Sequence, residues 1–477
     1  MEWIGAEGYW LSRLVFQRGL ALIYLIAFLS AANQFRALLG EHGLLPVPAH
    51  VRRRSFRETP SIFHLHYSDR FFAAVAWFGA LVSAGLLVGL GDGLPLWAHM
   101  AVWAVLWALY VSIVNVGQTW YSFGWETLLC EVGFLAIFLG PASVEPPLLI
   151  LLALRWVLFR LEFGAGLIKI RGDQCWRDLS CLHYHHETQP MPNPLSWFFH
   201  RLPGPVHRVE VAANHVTQLA IPFLLFLPQP VAGLAAAVVV ITQLWLVLSG
   251  NFSWLNALTI VLALSILGDG LISRVLPMVP PDILAPSPRW HQIVVVMVSA
   301  LIVVLSYGPA HNLLSRRQLM NYSFEPLHLV NTYGAFGNIT RVRREIIIEG
   351  TSDPDAGPDA EWRAYEFKGK PGDVRRRPPQ VAPYHLRLDW LMWFAALSPA
   401  YARSWFGPFI DRLLENDRAT LRLLRHNPFP DEPPVYVRAL LYRYEFTDRR
   451  ERREMGAWWR RTLVGEFHPA TTRRSRS

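Results

Sequence analysis

Three cysteines in 477 residues cannot build a disulfide framework, which excludes the small cross-linked secreted scaffolds. Lysine is scarcer than the basic character suggests. Only Lys169, Lys368 and Lys370 occur, against 42 arginines that make up the rest of the 45 basic residues. Charge of either sign is missing from long stretches. Residues 71–91 carry none, 93–125 lack Asp, Glu, Lys and Arg, and from Val211 to Ser273 only Asp269 interrupts. There is no GxSxG elbow, P-loop or Rossmann fingerprint, so those nucleophile and nucleotide chemistries are not expected. Without a recognised RNA- or DNA-binding motif, the net charge of +9 does not predict a nucleic-acid partner.

What is present is apolar. Uncharged runs of about 20 residues predict membrane helices, because a helix satisfies its own backbone inside lipid. Nine spans are expected, near 14–35, 71–91, 96–114, 126–140, 147–168, 210–227, 231–249, 253–272 and 291–310. The first is expected to act as its own insertion signal. Two long loops separate them, 36–70 and 169–209. The character changes after Leu313. Partial alternation predicts strands over 339–349, 361–367 and 435–446, with helices over 384–397 and 409–425. The expected fold is therefore a polytopic α-helical membrane protein with a C-terminal α+β soluble domain. Its divisions are 1–312 (multispan), 313–470 (soluble) and 471–477 (a disordered basic tail).

Ionisable groups at membrane depth are costly, so they pair or work. Glu126 and Glu131 fall in the fourth span, Arg155, Arg160 and Glu162 in the fifth, with Lys169 at its end. Glu210, Asn214 and Gln218 share one stripe of the sixth, with His215 beside it. One polar cluster joining these three spans is the economical arrangement. Glu162 and Lys169 are too far apart on one helix to touch, so each needs a partner elsewhere. Lys169 is open to three readings: packing network, surface-reaching anchor, or buried base. The following loop holds Cys175 and Cys181, a possible disulfide on an oxidising face and thiols otherwise. It also holds Trp176 and the run His183, His185, His186, Glu187, Gln189. The QPMPNP that follows predicts extended structure in which these side chains alternate, so neither a metal nor any other cofactor is expected.

Four stretches carry a family resemblance: WYSFGWETLLCEVGFLAIFLGP (120–141), the segment 154–197 around GAGLIKIRGDQCWRDLSCLHYHHETQPMPNP, NTYGAFGNITRVRREIIIEGT (331–351), and PYHLRLDWLMWFAAL (383–397) with NPFP (427–430). The chain resembles the lipase maturation factor family across nearly its whole length. That resemblance implies a multispan membrane protein that helps secreted lipases reach their active folded state, without being a lipase itself. Its partners would be the bilayer and client proteins such as lipases, with residues near 313–470 facing the client. A fainter similarity runs to the vitamin K-dependent carboxylases, in Lys169 followed by Trp176. It implies the alternative, a membrane enzyme using Lys169 as base on a quinone-like or lipid substrate. Both families place the soluble part on the luminal side, whereas the arginine-rich loops by themselves point to the cytoplasmic side. Arginine in place of lysine suggests a GC-rich bacterial genome. The expected site is an inner membrane in a bacterium, or the endoplasmic reticulum membrane in a eukaryote.

Overall fold

The computed structural model describes residues 5–278, 281, 284–357 and 359–473. Among them, five helices are long and apolar enough to cross a membrane: Trp10–Leu38, Asp69–Leu87, Leu96–Val116, Val231–Ser249 and Arg289–Leu314. The first has 29 residues. At 1.5 Å per residue it runs about 44 Å, longer than the hydrocarbon core of about 30 Å. It packs along Asp69–Leu87, with Phe35 stacked on Phe72 at 4.5 Å between ring centroids. Gly79 permits this approach, since a Cβ there would stand 2.5 Å from the Phe28 ring. Ser68 starts the second of these helices, accepting a hydrogen bond from the Phe71 N–H at 3.1 Å. Outward faces expose large apolar side chains, among them Trp77, Leu81, Leu234, Ile241, Val303 and Val304. Such surface suits lipid and not water. The protein is an integral membrane protein.

The other four expected spans take different forms. Gly124–Ala136 has 13 residues, Leu255–Leu264 has 10, and the sixth breaks between Gly204–Leu219 and Ile221–Leu224. Pro222 stands at that break. Leu148–Arg171 is long, with 24 residues, but carries Arg155, Arg160, Glu162, Lys169 and Arg171. Gly124–Ala136, Leu148–Arg171 and Leu255–Leu264 are mostly buried among their neighbours, whereas Gly204–Leu219 buries one stripe, including His207 and Gln218, and exposes Val209 and Val216.

The C-terminal part contains a four-stranded antiparallel sheet in the order β2-β1-β5-β6, formed by Arg363–Ala364, Arg343–Thr351, Tyr436–Phe446 and Trp459–Thr472. The short strands β3 (Glu366–Phe367) and β4 (Leu424–His426) pair separately. Ile346, Ile347 and Ile348 make β1 apolar on both faces, and the helix Arg387–Leu397 packs against it. The expected helix over 409–425 is interrupted. It runs Phe406–Leu414, breaks at Asn416 with φ 53°, and resumes as Arg418–Leu421. Asparagine tolerates that left-handed backbone. The basic tail is also corrected: Thr471 and Thr472 close β6, while 474–477 lie outside the described residues.

Candidate functional site

Lys169 sits near the C-terminal end of its helix and is buried. Its Nζ donates to Asn214 Oδ1 at 2.8 Å and Gln218 Oε1 at 2.9 Å. It lies 4.9 Å from the centroid of the Trp176 ring, a cation–π distance. The two amides lie one turn apart on Gly204–Leu219 and so face the lysine together. Gln218 then donates to Glu162 Oε2 at 3.1 Å, and Gln243 donates to Glu162 Oε1 at 2.7 Å. Asn256 donates to Gln243 at 2.7 Å. Glu162 and Lys169 thus communicate through an amide, without direct contact. The chain of groups runs across four helices. Lys169 does not reach out to the surface, which removes the anchor reading.

The expected single cluster is divided. Glu131 pairs with Arg160, and its Oε2 accepts from the Tyr333 hydroxyl at 2.6 Å and the Asn331 backbone N–H at 3.0 Å. Glu126 instead accepts from Arg387 Nη1 at 2.7 Å and from the Tyr110 hydroxyl, with His385 Nδ1 3.2 Å away. Arg155 donates to the Tyr9 hydroxyl and the Leu225 carbonyl. Glu210 bonds His207 at 3.0 Å and accepts from Trp245 at 2.9 Å. His215 Nε2 lies 2.9 Å from the Trp176 carbonyl oxygen. The division follows from partners that lie far downstream. Residues 331, 333, 385 and 387 come in from the C-terminal part and complete the partners of Glu131 and Glu126.

The loop after Lys169 is built outward from Asp173. Its carboxylate accepts from Arg341 at 2.9 and 2.8 Å and from the Cys175 N–H at 3.0 Å. The Arg341 guanidinium holds that carboxyl down at about 2. Cys175 and Cys181 are joined in a disulfide across six positions. Trp176, between them, donates to the Phe336 carbonyl at 2.8 Å. The histidine run is not extended. It forms the helix Leu182–Thr188, and the influence of the prolines begins only at Gln189. His183, His185 and His186 therefore fan around a turn. His185 meets Phe252 and Phe336, whereas His186 turns toward Phe199 and His207.

Glu187 and Gln189 fasten this loop to the C-terminal sheet. The Phe446 N–H donates to Glu187 at 2.7 Å, and burial pushes the Glu187 carboxyl up. Arg343 of β1 donates to the Glu187 carbonyl at 2.9 Å and to the Gln189 carbonyl at 2.5 Å. Gln189 Nε2 donates to the His186 carbonyl, to Ser196 and to the Ser249 carbonyl. Sequence reasoning missed Gln243, Asn256, His207, Tyr333, His385 and Arg387. Gln243 had a readable signal, a lone amide within an otherwise apolar run. The last three had none, because their partners lie far away in the chain.

The chain matches two family profiles. Residues 11–274 match the profile described as lipase maturation factor transmembrane domain, and residues 329–469 the profile described as lipase maturation factor C-terminal domain. Lipase maturation factor 1 of Bos taurus is 42% identical to it, over 98% of this chain and 90% of the relative. Lipase maturation factor 1 of Homo sapiens is 41% identical, over 97% and 88%. Lipase maturation factor 2 of Homo sapiens is 30% identical, over 97% and 83%. No solved structure matches.

Proposed function

The chain belongs to the lipase maturation factor family, and from that premise we propose that it brings lipases to their active folded state at the membrane where it resides. The observation that carries this reading is the match to both family profiles, membrane and C-terminal alike, in one uninterrupted chain. In this reading the membrane part is 1–312, and 313–470 meets the client. The four shorter or charged helices complete a bundle of about nine spans around the five long ones. That membrane is the inner membrane in a bacterial host and the endoplasmic reticulum membrane in a eukaryotic one.

A second reading is supported by one observation. The Lys169 amine is buried against the Trp176 ring and two amides, with no carboxylate in contact among the described residues. A lysine so placed suits proton abstraction from a quinone-like or lipid substrate. The two readings differ in what the host loses. Deleting the gene and measuring the specific activity of several secreted lipases tests the first. Lower activity per lipase molecule, restored by the full chain, is the expected result. Unchanged activity across all of those lipases would overturn it.

A further inference from the structure

His186, His207 and Glu210 bring one ligand atom each to within 4.8 Å of one another. The three come from two elements, the short helix Leu182–Thr188 and the helix Gly204–Leu219. His186 and His207 are 3% and 1% exposed. Among the described residues, neither ring nitrogen of His186 has a hydrogen-bond partner, nor does Nε2 of His207. Buried polar atoms in folded proteins are nearly always satisfied, so three orphaned nitrogens in one place call for a ligand. A buried imidazole with both nitrogens idle is also poor packing, as a leucine would fill the space without the desolvation cost.

We infer that His186, His207 and Glu210 form a binding site for a first-row divalent transition metal, with zinc the best match. Two imidazoles and one carboxylate are a borderline ligand set, which disfavours magnesium and calcium. Zinc bonds to nitrogen at about 2.0–2.1 Å, so tetrahedral ligands stand about 3.3–3.4 Å apart. The present spacing, within 4.8 Å, must close to that by side-chain rotation on two helices that already pack together. The surroundings suit a held ligand. Trp245 donates to Glu210 Oε1 at 2.9 Å and orients the carboxylate. The His183 ring lies 5.2 Å from that of His207, near enough to supply a fourth nitrogen on rotation. The ion would pin the histidine helix, which begins directly after Cys181 of the disulfide, to the helix that carries Asn214 and Gln218. It would thereby steady both the Lys169 seat and the loop that fastens the C-terminal sheet.

The test uses the full chain in detergent, purified through a tag without histidines. After incubation with zinc chloride and desalting, metal is counted by mass spectrometry. A parallel sample receives cobalt chloride and is read by visible absorption. The expected result is about one zinc per chain, tetrahedral cobalt bands, and a higher thermal midpoint with zinc than after chelation. His186→Gln and Glu210→Gln should each weaken zinc retention by about tenfold or more and abolish the zinc-dependent shift, while His42→Gln changes neither. Folded wild-type protein that keeps no zinc and gives no cobalt bands would overturn the site. So would retention that is unchanged in both variants. The wild-type measurements decide even where a variant fails to fold.

Discussion

Glu126 and Arg387 lie 261 positions apart and meet at 2.7 Å in the interior, both inaccessible to solvent. The guanidinium also covers the Tyr121 ring at 3.4 Å. One partner begins a short helix of the bundle, and the other begins the helix that supports β1. The two parts of the chain are therefore joined by a buried charge pair, with Tyr110 and His385 completing it. Removing one member of such a pair strands the other. Arg387→Met is expected to cost about 3–5 kcal/mol, read as a lower thermal midpoint and poor recovery from membranes. Glu126→Gln with Arg387→Met should recover part of that loss. A single variant as stable as the wild type would show that the pair does not hold the two parts together.

Lys169 separates the two functional readings. Lys169→Met keeps the length of the side chain and leaves the Asn214 and Gln218 oxygens without their donor. An unsatisfied buried acceptor costs about 1–3 kcal/mol. With the maturation reading, the amount of protein in the membrane falls, and lipase activity falls in proportion. The check is lipase specific activity normalised to the membrane level of the variant. Activity lost at an unchanged level would instead assign Lys169 a catalytic part.

The sequence announces its membrane helices by missing charge, and the five long apolar ones are plain in it. Their polar partners are not. Asn214 and Gln218 could be placed on one stripe because helical spacing is local. That they hold Lys169 follows from how the helix Gly204–Leu219 lies beside Leu148–Arg171, which no periodicity encodes. Glu126 and Glu131 read as one cluster with Glu162 because they share a helix neighbourhood. Glu131 does pair with Arg160 of the expected cluster, but Arg387 and Tyr333, which complete the two sites, come from more than 200 positions away. β6 escaped for another reason. Its sequence mixes arginines, Gly465 and Pro469, and it pairs with β5 through several register shifts at the sheet edge, where alternation and proline exclusion are weakest. The histidine run is helical because proline restricts only the residue directly before it, here Gln189, and leaves 182–188 free to coil.

The disulfide reports the side of the membrane. Cys175 and Cys181 are buried and joined, while Cys130 is a buried free thiol. Disulfides persist on the oxidising face, so the loop is expected there. In sealed vesicles of known orientation, a membrane-impermeant maleimide should label neither cysteine until a reductant is added on that face. Labelling of both without reduction from the cytoplasmic face would reverse the topology. Cys175→Ser with Cys181→Ser opens a short loop and should cost about 2 kcal/mol, without loss of insertion.

Acid should loosen the joint between the two parts through His385. The side chain is fully buried, and burial, with Arg387 beside it, pushes its pKa from 6.5 down to about 4, against a smaller opposing pull from Glu126. The folded value lies below the unfolded one. Above pH 6.5 neither state binds the proton, and the contribution to stability is complete. Between 6.5 and about 4 the unfolded chain takes up a proton that the folded chain refuses, so stability falls as pH falls. A shift of that size corresponds to about 3 kcal/mol. Other buried histidines add slopes of their own, so the comparison must be with His385→Gln. Thermal midpoints of both proteins in detergent, followed from about pH 7 to about pH 4.5, should fall more steeply for the wild type. Parallel curves would mean that His385 binds its proton equally in the folded and unfolded chain, and a wild-type curve that falls less steeply would mean that its contact with Glu126 is an ion pair.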